Sequence, residues 1–221
     1  MYRLDRTAFR RHTAEEADNQ VAYWLKQPLA ERLRAATYLI RTAWNIGPDD
    51  DWSLDRSLFK IRHRSMSNNI FHADFQDFIK ALNQNEVKYI LVGGYAVILH
   101  GYSRTTGDMD VWVKPDRENY QRLVRAFADF GMPMFDLTAE KFLKTKHYDV
   151  YTYGKPPVAI DLMTAVKGMD FDEAFAGATW HEFEDLSIRV IRYQDLLKAK
   201  QSTGRMRDLN DIEQLEKGRK K

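Results

Sequence analysis

The sequence predicts a mixed α+β domain on a small sheet, with a helical segment in front of it. Three observations predict this. From about residue 66 onward, apolar runs of strand length alternate with stretches of helical period. Glycine and proline clusters separate those runs, as at Gly93-Gly94 and Gly154-Lys155-Pro156-Pro157. The first 65 residues, by contrast, carry mostly helical patterns, which divides the chain into a helical appendage at 1–65 and a mixed α+β domain at 66–221.

In the appendage, Thr13 with Glu16 three residues on makes a capping box ahead of a helix that carries Val21, Trp24 and Leu25 on one face. Pro28 suits the first turn of a second helix, with Leu33, Thr37, Ile40 and Trp44 down one side and Gly47-Pro48-Asp49 ending it. Two helices are a thin core for 65 residues, so the segment is expected to lean on the rest of the chain and to limit access to its site. The phrase from Leu4 to Arg10 is echoed from Leu54 to Lys60, and the polar stretch Arg62 to Asn69 reads as a linker.

Beyond the linker, Phe75, Phe78, Ile79 and Leu82 form a helix face. Val87 to Val92 is a strand, followed by Gly93-Gly94 and a brief helix to about His100. Met109, Val111 and Val113 alternate with Asp108, Asp110 and Trp112, which marks another strand. Pro115-Asp116 opens a helix with Tyr120, Leu123, Val124 and Phe127 inward, closed by Gly131. Tyr148 to Tyr153 and Val158 to Met163 are strands, Thr179 to Phe183 and Ser187 to Tyr193 suggest a hairpin around Glu184-Asp185, and helices around Asp195 to Gln201 and Asp208 to Glu216 finish the chain.

Composition narrows the function classes. The chain has 221 residues, 44% hydrophobic and 30% charged, and the absence of cysteine excludes disulfides, thiolate zinc sites and cysteine nucleophiles. The net charge of +2 is too small to announce a nucleic-acid binder. The longest apolar run, around Tyr89 to Leu99, is broken by glycines, and no signal-peptide stretch opens the sequence, so no membrane partner and a cytoplasmic location are expected. There is no G-x-S-x-G, no H-E-x-x-H and no Gly-Lys-Ser/Thr phosphate loop; His100 and His147 read as structural or surface residues.

Three features carry chemistry. Asp108 and Asp110 share one face of an otherwise apolar strand, where two carboxylates repel unless a cation such as Mg²⁺ sits between them; a solvated strand face is the plainer reading. Gly93-Gly94 lies at a strand-to-helix junction, where backbone N–H groups can approach an anion, or where the chain simply turns. Asp161 interrupts the apolar run Val158 to Met163 and is costly to bury unless it is paired or binds metal.

Their order matters more than any one of them. Gly93-Gly94, thirteen intervening residues, Asp108-Met109-Asp110 and a later strand aspartate resemble the DNA-polymerase-beta-like nucleotidyltransferase superfamily, with its pattern hG[GS], a spacer, then Dh[DE]h. Val92 to Val97 with Arg104 to Val111 look especially like small bacterial members: antibiotic, minimal and type IV toxin-like nucleotidyltransferases. Gly94 stands where many relatives have serine. Lys200 followed by Arg205-Met206-Arg207-Asp208-Leu209-Asn210-Asp211 resembles the basic and acidic tail of the toxin-like members; Asp208 could cap the last helix, and an Arg207–Asp211 ion pair is the plainer reading.

The resemblance implies a nucleotidyltransferase fold and an enzyme that moves a nucleoside monophosphate from an NTP to a hydroxyl on a protein, tRNA or small molecule. It implies two Mg²⁺ ions held by Asp108, Asp110 and Asp161, which would also be the catalytic residues, with Gly93, Gly94, Arg104, Lys200 and Arg205 binding the nucleotide. An inactive fold serving as antitoxin or scaffold is the alternative. The first 65 residues resemble small helical proteins found beside such enzymes in bacteria, and Met66 resembles the start of a formerly separate chain, within a toxin–antitoxin-like system.

Overall fold

Alternation along one central strand gives the sheet one apolar face and one that carries its carboxylates. In the computed structural model, which describes residues 2–17, 20–44, 46–47, 71–144, 149–183 and 186–219, that strand is β3 (Asp108–Val113). Before it come β1 (Phe9–Thr13), α1 (Ala14–Ala17), α2 (Val21–Leu25), α3 (Leu29–Trp44), α4 (Ala73–Gln84), β2 (Tyr89–Leu91) and α5 (Gly93–Leu99). After it come α6 (Arg117–Phe130), α7 (Ala139–Leu143), β4 (Asp149–Lys155), β5 (Val158–Met163), α8 (Phe171–Gly177), β6 (Thr179–Phe183), β7 (Leu186–Val190), α9 (Tyr193–Thr203) and α10 (Met206–Arg219). The fold class is mixed α+β.

Seven strands make one sheet in the order β1-β4-β5-β3-β2-β7-β6. The pairs β3·β5 and β2·β7 are parallel and the remaining pairs antiparallel. Met109, Val111 and Val113 share their face with Ile160 and Leu162 of β5 and with Tyr151 and Tyr153 of β4, all buried. Helix α6 lies on that face: Phe127 meets Tyr153 with ring centroids 5.0 Å apart, and α4 joins it through Phe78 on Phe127 at 5.5 Å. These aromatic pairs carry much of the core, each burying a large apolar area. Helix α6 begins and ends as its sequence dictates, with Asp116 accepting from the Asn119 N–H at 2.7 Å and Gly131 in the left-handed conformation at φ +71°.

The N-terminal segment departs from the expected pattern. Phe9–Thr13, expected in a helical appendage, is strand β1, paired antiparallel along β4 at the edge of the sheet. Phe9 faces inward against Phe135, Tyr151 and Tyr153, so the segment contributes to the same core as the rest of the chain. The capping box forms: the Glu16 N–H donates to Thr13 Oγ1 at 3.3 Å and the Thr13 N–H donates to Glu16 Oε2 at 3.0 Å. On α3 the face Leu33, Ile40 and Trp44 is exposed, at 59%, 40% and 64%, and the buried position is Ala35, with the Tyr38 ring tilted against Tyr2, centroids 5.1 Å apart. Helical period located a stripe, but the stripe that packs is the one aromatic contacts hold. The echo at 54–60, the linker, Met66, His147 and the turn at 184–185 lie outside the described residues. No helix among the described residues is long and apolar enough to cross a membrane.

Candidate functional site

The polar row of the sheet is built by four neighbouring strands. Asp110 on β3 and Asp161 on β5 are register partners across a parallel pair, and Asp108, two residues before Asp110, shares their face. Thr152 on β4 is in turn the register partner of Asp161, and Arg10 on β1 is the partner of Thr152. One row thus crosses four strands as Arg10, Thr152, Asp161 and Asp110.

Each carboxylate is turned toward its own donor. The Gly94 N–H donates to Asp110 Oδ2 at 3.2 Å, the Thr152 hydroxyl donates to Asp161 Oδ1 at 2.5 Å, and the Gln20 side-chain amide donates to Asp108 Oδ2 at 2.5 Å. Asp161 is buried; Asp108 and Asp110 keep some exposed surface. Protein packed around Asp110 nevertheless desolvates it enough to raise its carboxyl above the usual range, against the opposing pull of the Gly94 N–H and the charges of Lys200, Arg104 and Arg207.

The two glycines are needed where they stand. Gly93 has φ +61°, and a Cβ there would lie 2.0 Å from Asp110 Oδ2. A Cβ on Gly94 would lie 2.4 Å from Thr106 Oγ1 and 3.1 Å from an Arg104 guanidinium nitrogen, so Thr106 leaves no room for the serine seen in the resembled pattern. Gly93→Ala is therefore expected to cost about 1–2 kcal/mol from the left-handed backbone alone, with a further loss from displacing Asp110. Gly218, where a methyl group would meet nothing within 4 Å, serves as the control. Urea unfolding of Gly93→Ala beside Gly218→Ala checks this; a loss no larger than that backbone cost would show that Asp110 yields without cost.

A buried ion-pair cluster flanks the carboxylates. Asp211 Oδ2 accepts from Arg104 Nη1 at 2.5 Å and from Lys200 Nζ at 2.7 Å, and Lys200 also reaches Asp208 Oδ1 at 2.7 Å. Burial lowers the Arg104 guanidinium, as does the neighbouring charge of Arg207, while Asp211 and Asp110 raise it. Asp208 is raised by burial but pulled below its ordinary value overall by Lys200 and Thr203. Asp208 is not a helix cap: α10 starts at Met206, and the Asp208 carboxylate is spent on Lys200 and Thr203. Asp211, expected opposite Arg207, instead holds Arg104 and Lys200.

Of the eight residues singled out in the sequence, Asp108, Asp110, Asp161, Gly93, Gly94, Arg104 and Lys200 gather in this region. Arg205 lies beside the Lys200–Asp208 pair, where its charge helps lower the Asp208 carboxyl, and it donates to the Ala14 carbonyl at 2.8 Å. Sequence reasoning missed Gln20, His12, Thr152 and the influence of Arg207 on Asp110. Thr152 was legible, since it alternates with Tyr151 and Tyr153; Gln20 carried no signal. His100 plays the structural part expected of it, its Nε2 lying 2.7 Å from the Ile191 carbonyl.

The donor set fits a hard divalent cation, because three carboxylates on one face supply oxygen ligands of the kind Mg²⁺ prefers. Among the described residues, no three His, Asp or Glu side chains stand close enough together to hold a metal ion between them.

Fold and site together define a mixed α+β protein that presents three aspartates on two neighbouring strands beside a buried cluster of ion pairs. No family model matches the chain, and no curated protein matches it. Solved structures similar to it include two candidate nucleotidyltransferases. One is a candidate nucleotidyltransferase from Thermotoga maritima, 14% identical, covering 63% of this chain and 88% of that one with a TM-score of 0.43. The other is a candidate nucleotidyltransferase from H. pylori, 16% identical, covering 57% of this chain and 54% of that one with a TM-score of 0.34. Both are too distant to place any residue of the site.

Proposed function

We propose that this chain is a divalent-metal-dependent nucleotidyltransferase that moves a nucleoside monophosphate from an NTP to a hydroxyl. The observation that carries the reading is the register of Asp110 with Asp161, with Asp108 on the same face and the Gly93-Gly94 turn pressed against Asp110. Asp108, Asp110 and Asp161 would hold the metal. When bound, Mg²⁺ supplies charge neutralisation at the triphosphate and acidifies the acceptor hydroxyl.

The chain's own residues do the rest by positioning and electrostatics. Arg104 and Lys200, fixed through Asp211, direct positive charge toward the carboxylates and the triphosphate beside them. Gly93 and Gly94 bring backbone close to the phosphates without a side chain in the way. Asp161 takes the proton of the acceptor hydroxyl as its oxygen attacks the α-phosphorus. The bond from that phosphorus to the bridging oxygen breaks, and pyrophosphate leaves.

Incubating the full-length protein with each α-labelled NTP and a cell lysate tests the reading and asks whether protein, tRNA or a small molecule takes the label. Label transferred to nothing, from any NTP, overturns it. Asp161→Asn is expected to lower transfer by about 10²–10⁴-fold, the usual contribution of a general base, and to weaken Mg·NTP binding by less than it lowers transfer. Calorimetric titration of Mg·NTP decides this: binding lost as fully as in Asp108→Asn would make Asp161 a builder of the site and not a base.

The Gln20 amide on Asp108 favours a second reading, an inactive fold that serves as antitoxin or scaffold within a toxin–antitoxin-like pair. In that case calorimetry finds neither Mg²⁺ nor nucleotide binding.

A further inference from the structure

We propose that His12, brought in by strand β1, is a positioning residue that orients the Asp161 carboxylate through the Thr152 hydroxyl. This rests on the reading of Asp161 as a metal-holding carboxylate.

Three adjacent strands build the chain of contacts. Thr152 Oγ1 lies 2.5 Å from Asp161 Oδ1, and His12 Nε2 lies 2.7 Å from the same hydroxyl oxygen. A threonine hydroxyl has one proton to give. A carboxylate can only accept, so that proton goes to Asp161, and the oxygen that gives it must accept from His12. The imidazole is thereby fixed as the tautomer with its proton on Nε2. Burial, together with the charge of Arg10, holds His12 below its ordinary value, with Glu16 opposing, which leaves a neutral N–H donor near neutral pH. His12, Thr152 and Asp161 then form a run of aligned dipoles, in which each bond strengthens the next.

The consequence is geometric. Hydrogen-bond partners behind a metal-holding side chain set its orientation and its donor strength, and their loss weakens metal affinity by about 10–100-fold. Thr152 fixes the rotation of Asp161, and His12 fixes Thr152. The segment that the sequence marks as an appendage therefore completes the acidic site. Gln20, from the same segment, reaches Asp108 independently.

Titrating Mn²⁺ into the full-length protein by calorimetry tests the proposal, with thermal unfolding as the folding control. His12→Phe and Thr152→Val are expected to bind Mn²⁺ about 10–100-fold more weakly than wild type. His12→Gln, whose Nε2 can occupy the position of the imidazole Nε2, and Thr152→Ser, which keeps the hydroxyl, are expected to retain wild-type affinity. Affinity unchanged in a folded His12→Phe overturns the proposal, as does equal loss in His12→Phe and His12→Gln. If the wild type binds no Mn²⁺, the reading of Asp161 falls and this inference falls with it, a pattern distinct from either of those. Ring ¹⁵N NMR of His12 supplies a readout without metal: the Nε2–H tautomer is expected, and the Nδ1–H tautomer overturns the proposal.

Discussion

Asp110→Asn is expected to lower nucleotidyl transfer by at least about 10³-fold, with Asp108→Asn close behind, and neither variant is expected to unfold the protein. A bound cation contributes several kcal/mol to the transferring phosphoryl group, and each ~1.4 kcal/mol is tenfold in rate. Stability should move the opposite way. Burial raises the Asp110 carboxyl, so the folded protein favours its protonated form. With the folded value above the unfolded one, the cation-free wild type loses stability as pH rises through the carboxylate range. Asparagine removes that loss while its side-chain oxygen can still accept from the Gly94 N–H. Thermal unfolding in a chelator should therefore give Asp110→Asn a Tm at or above wild type at neutral pH, with the gap closing below about pH 4, near the ordinary carboxylate value. Near-wild-type transfer in both variants would sink the catalytic assignment, and a large loss of Tm would show that Asp110 is structural.

Much of the sheet was legible because its strands obey two simple patterns. β3 alternates apolar and polar residues, β5 is apolar apart from Asp161, and each break in pattern marks a face rather than an edge. From alternation alone, Asp108 and Asp110 share a side; nothing in the sequence says that Asp161 stands in register with Asp110, because register is set by pairing between strands distant in the chain. β1 was illegible for a related reason. Arg10, Arg11 and His12 give no apolar alternation, and the strand forms because β4 offers an open edge and Phe9 finds the aromatic cluster of Phe135, Tyr151 and Tyr153. The packing side of α3 was misjudged because apolar residues lie on more than one side of it, and only contacts such as Tyr38 on Tyr2 decide between them.

Asp211→Asn is expected to cost more stability than any other single change of charge near the site. Asp211 is 1% exposed and is the shared partner of Arg104 and Lys200, two cations that are themselves largely buried. Removing one partner of a buried ion pair costs about 3–5 kcal/mol, because the remaining charge has lost its water and gained nothing. At about 2–4 °C per kcal/mol for a chain of this size, the Tm should fall by roughly 6–20 °C. Lys200→Met should cost less, since Arg104 still neutralises Asp211, and Asp211→Asn combined with Lys200→Met should recover part of the loss. The same variant reports on function. If Arg104 and Lys200 face a triphosphate, an added anion can replace the missing carboxylate, and ligand binding to the folded state raises Tm by mass action. Mg·ATP should then raise the Tm of Asp211→Asn by more than it raises that of wild type. An equal rise in both would place the two cations away from the nucleotide, and an unchanged Tm without nucleotide would show that Asp211 is not their principal counter-ion.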